Sequence, residues 1–583
     1  MNSKGTIWAL IIATALLGVP LPAGAQQQIS DARIRELIKE AAERAATGPT
    51  TLNIQAAAAG QGDTRPTISL TLDDAVKDAL DHNLDIAVSR LNPEINDIGI
   101  AGIRTVYKPA LTSQLATQSQ TNPATSSIAG GATAGSPIQS GLTTFNGGVT
   151  QNLPWGGGGY VVSLTNTKTT SQSLVSQYNP LYQPIWTGQF TQPLMRGWRI
   201  DSTRQQLTVS KLNRDISDVQ LRSTITNTLS NVRNAYWDYV YAIQAVDVAK
   251  QSVDLADQLV RDNQTRVEVG TMAPIDVITA QSQAATQRQN LVQVQANVRT
   301  AELALKRLIV SGTQDPLWDA KLDPVDRPDF RPEQIDIVAA VRRALSERTD
   351  LDIARKNVQQ NDVTLKFLHD QTLPQADVVA QYGFVGIGGN QLIKQGTGVG
   401  GTTTITGSVP GGYGDSLSSL FNGGFPRWNV TMNISYPIGL STAQASVARA
   451  RIQLSQAEAQ TKQIELQIAT DVTNAALTAQ SSVERVQAAQ VARELAQKTM
   501  EAEQSKFEVG MSTNYNVILT QRDLATAQDN ELQATLAYRK SLVELERLQQ
   551  TTLTSLGITV LSTTGLTNTA VGSGRPTVVA GGS

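Results

Sequence analysis

Two hydrophobic periods divide this chain. Over residues 427–438, RWNVTMNISYPI sets Trp428, Val430, Met432, Ile434, Tyr436 and Ile438 against Asn429, Thr431, Asn433 and Ser435. Alternation of this kind gives a β-strand one apolar and one polar face. About eleven residues at roughly 3.3 Å each, tilted near 45°, rise about 25 Å, the height of the apolar band of a membrane barrel. A strand of a soluble sandwich would carry the same alternation. Weaker runs predict strands at 111–120, 184–194 and 376–384, so about four strands follow from the pattern, separated by Gly/Ser/Thr-rich loops near 121–143 and 385–426 that belong in water. The first half also holds an extra pair, 144–153 and 160–170, around the turn Pro154-Trp155-Gly156-Gly157-Gly158-Gly159. That pair has no counterpart in the second half, and it either adds two strands to a barrel or forms an exposed hairpin.

Elsewhere the period is helical. In the stretch 200–265, Ile225, Leu229, Val232, Tyr236, Val240 and Ile243 recur at three- and four-residue steps; in 441–506, Val447, Leu454, Ile464, Ile468, Val472, Val483 and Leu495 do so more sparsely. The seams are narrow and flanked by Ala, Gln, Ser and Thr, which suits a one-layer wall wetted on both sides. About 65 residues at 1.5 Å make helices near 100 Å long. Shorter stretches at 72–105, 274–311, 333–372 and 514–551 sum in pairs to a similar count, so each pair is long enough to line one long helix.

The chain repeats itself. VEVGTMAPIDVITAQ at 267–281 and FEVGMSTNYNVILTQ at 507–521 share roughly six of fifteen positions at an offset of about 240 residues, the mark of an internal duplication. Gly270 or Gly510, followed by Pro274 or by Ser512-Thr513-Asn514, interrupts a helix and starts another, making each copy the tip of an antiparallel hairpin. Upstream, Leu84-Asp85-Ile86-Ala87 returns as Leu351-Asp352-Ile353-Ala354. Thr71, ahead of Asp73-Asp74, is the expected N-cap of the first helix.

Lys4, the apolar run 7–19 and Ala23-Gly24-Ala25 form a secretory signal over 1–25, with a linker at 26–66 that carries a short charged helix candidate at 29–46. Two repeats follow, 67–330 and 331–551, and a Thr/Gly/Ser-rich tail, 552–583, is expected to be disordered. A net charge of −2 gives no argument for nucleic acid, and the absence of cysteine removes disulfides and thiolate metal sites. No later segment reaches the length of a spanning helix, which leaves β-strands as the route into a membrane. The two histidines, His82 and His369, lie far apart on amphipathic helices, and Gly396-Thr397-Gly398-Val399-Gly400-Gly401 fits a nucleotide-loop spacing without the flanking strand and helix. Neither enzyme chemistry nor a cofactor is expected.

In order along the chain, LTLDDAVKDAL at 70–80, Gln192-Pro193-Leu194-Met195-Arg196-Gly197, Ala235-Tyr236-Trp237-Asp238-Tyr239 and the paired tips resemble the TolC-type outer-membrane efflux protein family over about 70–550. The resemblance implies a mainly α fold with membrane β: long antiparallel helical hairpins forming an α-barrel in the periplasm, and four strands per chain in a twelve-stranded barrel shared by a homotrimer in outer-membrane lipid. It implies a periplasmic adaptor and an inner-membrane pump as partners, in tripartite efflux or type I secretion. Independently of it, four to six strands cannot close a membrane barrel, so copies must share one. The resemblance further places the gate at Asp276, with Asn516 as its repeat counterpart and Leu519 at a position acidic in some relatives. Gly270, Thr271, Gly510 and Met511 become the adaptor-docking tip. The long helices alone would also permit a soluble periplasmic coiled-coil adaptor or scaffold, for which an apolar strand face has no use. A passive porin would need many more strands and no 100 Å helices.

Overall fold

The computed structural model describes residues 65–123, 136–173, 176–327, 330–396, 404–439, 441–559 and 579–580. All but Arg65 belong to one compact unit, Pro66–Ser583. The expected signal, the 29–46 helix and almost all of the linker lie outside the described residues, as do most of the Gly396–Gly401 run and residues 560–578 of the tail.

From the N-terminal side, β1 (Thr67–Leu70) leads into α1 (Leu72–His82), whose N-cap Thr71 accepts a hydrogen bond from the Asp74 amide as expected. Asn83 caps the next helix, α2 (Leu84–Arg104), so the single helical stretch read at 72–105 is divided in two. Four strands follow: β2 (Ala110–Asn122), β3 (Ile138–Asn152), β4 (Gly159–Ser171) and β5 (Tyr178–Pro193). Then come the 67-residue α3 (Ser202–Glu268), the 36-residue α4 (Pro274–Ile309), a short α5 (Pro316–Asp319) and β6 (Lys321–Pro324).

The second repeat copies this order. Helices α6 (Ile337–Glu347) and α7 (Thr349–Asp370) precede β7 (Gln375–Val385), β8 (Gly388–Gln395), β9 (Thr404–Val409), the helix α8 (Tyr413–Phe421) and β10 (Phe425–Ser435). The 67-residue α9 (Thr442–Glu508) and 36-residue α10 (Asn514–Gln549) complete it. Residues 385–426, expected as plain loop, therefore contain a β8–β9 hairpin and a helix. Gly386 and Gly388 let α8 settle on the sheet, since a Cβ on Gly386 would stand 2.1 Å from the Ser416 carbonyl oxygen and one on Gly388 2.5 Å from the Ser416 amide.

In the large sheet the order is β10-β7-β5-β4-β3-β2, with β8 continuing alongside β5 and β9 alongside β8. The four strands read from the pattern are β2, β5, β7 and β10. The extra pair, left open by the sequence, is β3–β4, and it stands inside the sheet between β2 and β5, antiparallel to both.

Helices form a single layer. Near the sheet α2, α3, α7 and α9 lie side by side; toward the tips the order is α4, α3, α10, α9. Polar ties fasten neighbours: Lys540 to Asp238 at 2.9 Å and Tyr241 to Asp529 at 2.9 Å join α10 to α3, and Gln360 to Asn213 at 2.6 Å joins α7 to α3. Midway, where β1 pairs in parallel with β6, the layer thickens into a core around Tyr236, Tyr239, Leu305, Ile309 and Leu322. Burial raises the Tyr236 phenol well above its ordinary pKa, fixing it as a neutral hydrogen-bonding group toward Asp326 and Leu70. Lys306 and Glu302 are buried here as an ion pair at 2.9 Å, the lysine also donating to the carbonyls of Trp318 and Ala320. The tail starts in order, against expectation: α11 (Thr552–Ser555) and β11 (Ile558–Thr559), which pairs with β12 (Val579–Ala580), place Leu553 and Ile558 in this same core, because apolar burial there outweighs the polar composition.

Candidate functional site: sheet faces, open margins and hairpin tips

Cross-strand neighbours share a face, so the register sorts the sheet's side chains. One row reads Leu111, Val149, Val162, Gly188, Tyr382, Trp428; a second reads Tyr160, Phe190, Ala380, Val430. The opposite face carries Thr112, Gly148, Ser163, Gln189, Gln381 and Asn429. Trp428, Val430, Met432 and Ile434 all lie on the apolar face, each more than half exposed, and Tyr436 follows just past the end of β10. No helix among the described residues is long and apolar enough to cross a membrane.

Both margins of this unit are unfinished. Among the described residues, strand β2 pairs only with β3, and β10 only with β7. The helical layer is open on the same two sides, since α2 runs into β2 and β10 into α9. On α2, Leu84, Val88, Leu91, Ile95 and Ile98 are 53–73% exposed and fall within about 80° of one another at 3.6 residues per turn. Ile278, Val292 and Leu303 are likewise exposed along one side of α4, and Ile452, Leu466, Leu477, Val491 and Leu495 along one side of α9.

Each tip is closed by the same device. Gly270 has φ +75° and Gly510 φ +79°; the amides of Thr271 and Met511 donate back to the carbonyls of Arg266 at 2.9 Å and Lys506 at 2.8 Å. This is the six-to-one bond of a glycine-terminated helix. A Cβ on either glycine would meet nothing within 4 Å, so the tip backbone is open to approach, and Val269, Ile275, Val509, Met511 and Tyr515 surround it as exposed apolar side chains.

The two tips are tied together. Buried Asn514 accepts from Asn263 Nδ2 at 2.8 Å and donates to the Asp276 carbonyl oxygen at 3.1 Å. Arg266 lies 4.4 Å over the Phe507 ring and donates to the Phe507 carbonyl at 3.0 Å. Leu259, Ala280, Phe507 and Val517 form a small core behind these contacts. Asp276 and Asn516 occupy equivalent third positions of α4 and α10, while Leu519 is half-buried one turn on. Residues Asn263, Arg266 and Asn514 carry the tie between the repeats, and the sequence reading missed them. An asparagine pair 251 positions apart has no local signature.

The outer membrane efflux protein family profile matches residues 162–310 and 340–549. Solved structures show the same fold. The Campylobacter jejuni CmeC outer membrane channel aligns with 82% of this chain and 85% of its own at TM-score 0.56 and 13% identity. The outer membrane protein VceC from Vibrio cholerae aligns with 82% and 95% at TM-score 0.57 and 12% identity, and the open state of the Neisseria gonorrhoeae MtrE outer membrane channel with 82% and 88% at 0.54 and 14%. No curated protein sequence matches.

Proposed function

The chain belongs to the outer membrane efflux protein family, and from that premise we propose that three copies assemble into one duct that carries substrates from a periplasmic adaptor and inner-membrane pump to the exterior. The protein is an outer-membrane channel of efflux systems that extends into the periplasm. The observation that carries the assembly is the pair of open margins. Strand edges in lipid leave backbone groups without partners, and two apolar helical stripes stand exposed along the same sides. Joining the α2–β2 side of one copy to the β10–α9 side of the next completes the wall at every level. A soluble scaffold accounts for neither the edges nor the apolar sheet face.

At the tips, Asp276 from three copies supplies a ring of carboxylates that attracts cations, and Gly270, Thr271, Gly510 and Met511 present the approachable backbone and apolar surface that an adaptor hairpin needs. Divalent cations then block the wild-type channel, and an unchanged block in Asp276→Ala removes this residue from the gate. Assembly itself is tested with Val88→Asp/Ile95→Asp. Burying a Val or Ile side chain is worth about 1.5–3 kcal/mol, and an unpaired carboxylate in its place adds a penalty at every interface. Detergent-solubilised wild type should sediment as three copies and the variant mainly as one. An unaltered variant, or a monomeric wild type, refutes the assembly.

A further inference from the structure

We infer that the β3–β4 hairpin is part of the lipid-facing wall, so that each copy contributes six strands to the barrel. The inference rests on the shared-duct reading above. Three observations carry it. First, β3 pairs with β2 over thirteen positions and β4 with β5 over eleven, so the hairpin is woven in across the full height of its neighbours. Without it, β2 and β5 would have to meet directly.

Second, the hairpin carries the same two faces as the strands around it. Phe145 and Val149 on β3, and Tyr160, Val162 and Leu164 on β4, lie on the same face as the apolar rows, while Asn146, Thr150, Ser163 and Thr165, with Val161 among them, face the other way. The apolar stretch also drifts steadily in register: it covers Ile434 to Trp428 on β10, Tyr160 to Leu164 on β4, and Leu111 to Leu115 on β2. A horizontal band drawn across tilted strands shifts in this way, and β3–β4 occupy the intermediate steps. A hairpin standing in water outside the bilayer has no reason to keep that band.

Third, the turn joining β3 to β4 is seated where sheet passes to helix. Gln192 Nε2 donates to the Gly156 carbonyl at 2.7 Å, and Arg204 Nη2 donates to the Gly197 carbonyl at 2.6 Å beside it. The run of four glycines is required by closeness: a Cβ on Gly157 would stand 2.3 Å from the Gly197 carbonyl oxygen, and one on Gly158 2.9 Å from that of Thr191. Three copies then close a barrel of eighteen strands. Since diameter grows roughly linearly with strand number, the opening is roughly 1.5-fold wider than a twelve-stranded one.

The chain has no cysteine, so single-cysteine variants carry a nitroxide label at one site only. We would label Phe145→Cys and Val162→Cys on the apolar face, Asn146→Cys and Ser163→Cys on the polar face, and Val430→Cys on β10 as reference. Each full-length protein is placed in phosphatidylcholine vesicles, and its collisions with oxygen and with a water-soluble nickel chelate are compared. The inference expects 145 and 162 to match 430, oxygen-rich and shielded from nickel, with 146 and 163 open to nickel. Nickel access at 145 and 162 with 430 shielded puts the hairpin outside the bilayer and overturns the inference alone. Shielding of 145 and 162 from both reagents, with 430 oxygen-rich, also overturns it, because those side chains then face protein. Nickel access at 430 itself overturns the shared-duct reading, and the inference falls with it.

Discussion

Replacing Asn514 with leucine removes the polar tie between the two hairpin tips. Asn514 is 4% exposed and Asn263 fully buried, so the amide of Asn263 loses its acceptor in a site closed to solvent. An orphaned buried donor costs about 1–3 kcal/mol, and the bond to the Asp276 carbonyl is lost as well. Taking about 2 kcal/mol for the pair, the population with separated tips rises about 30-fold, since 1.4 kcal/mol is a factor of ten. The Arg266–Phe507 contact remains, so the opening is partial. Hydrogen exchange of assembled protein in detergent should quicken over 263–281 and 503–521 and stay unchanged in the midway core around Tyr236. In planar bilayers the single-channel conductance of Asn514→Leu should exceed wild type. The double variant Asn263→Leu/Asn514→Leu, with neither amide left to satisfy, should regain most of the lost stability. Unchanged exchange at the tips together with unchanged conductance would show that the asparagine pair holds nothing in place.

Three further outcomes are expected. Lys306→Ala removes the countercharge of the buried Glu302 carboxylate, leaving neutral donors such as the Leu322 amide, and should cost about 3–5 kcal/mol, whereas Lys306→Met/Glu302→Leu should recover most of it; thermal melts by far-ultraviolet circular dichroism compare the two. Gly157→Ala, which would force its Cβ against the Gly197 carbonyl at φ +66°, should loosen the β3–β4 turn to protease far more than Gly270→Ala, whose Cβ meets open space and adds only backbone strain of about 1–2 kcal/mol. Burial raises the Asp350 carboxyl, but hydrogen bonds and charge from Arg348, with a 2.6 Å contact, outweigh it and hold the group below its ordinary value. Its stabilisation is therefore complete above the unfolded value of about 3.9 and is lost as pH falls through the folded one. The side chain is 44% exposed, so the effect is about 0–1 kcal/mol, and Asp350→Asn should flatten that part of the melting-temperature profile.

Much of the architecture was legible because it rests on periodicity. Strand β10 alternates without a break, and the seam of α3 from Ile225 to Val240 is wholly buried, as its spacing demands. The α9 seam departs in part from the one its spacing predicts. Leu495, expected inward, is 64% exposed, and the buried line instead includes Ala450, Ala457, Ala476, Ala479 and Ser482, small residues that hydrophobicity underweights and close helix packing favours. Strands β8 and β9 are hidden by glycine and threonine, and the role of Gly386 and Gly388 there is to let α8 approach. At the candidate site, Gly270 and Gly510 announced themselves through the repeat, whereas Asn263 and Asn514 are joined by tertiary structure alone.

The two repeats differ in the sheet yet have arms of identical length, 67 residues out and 36 back on each side. The arms behave as a pair of calipers. One residue added to α3 alone would lower its end by about 1.5 Å and turn it by roughly a quarter-circle, parting Asn263 from Asn514. Whatever variation the upper, strand-built portion has accommodated, these legs admit length changes only when both change in step.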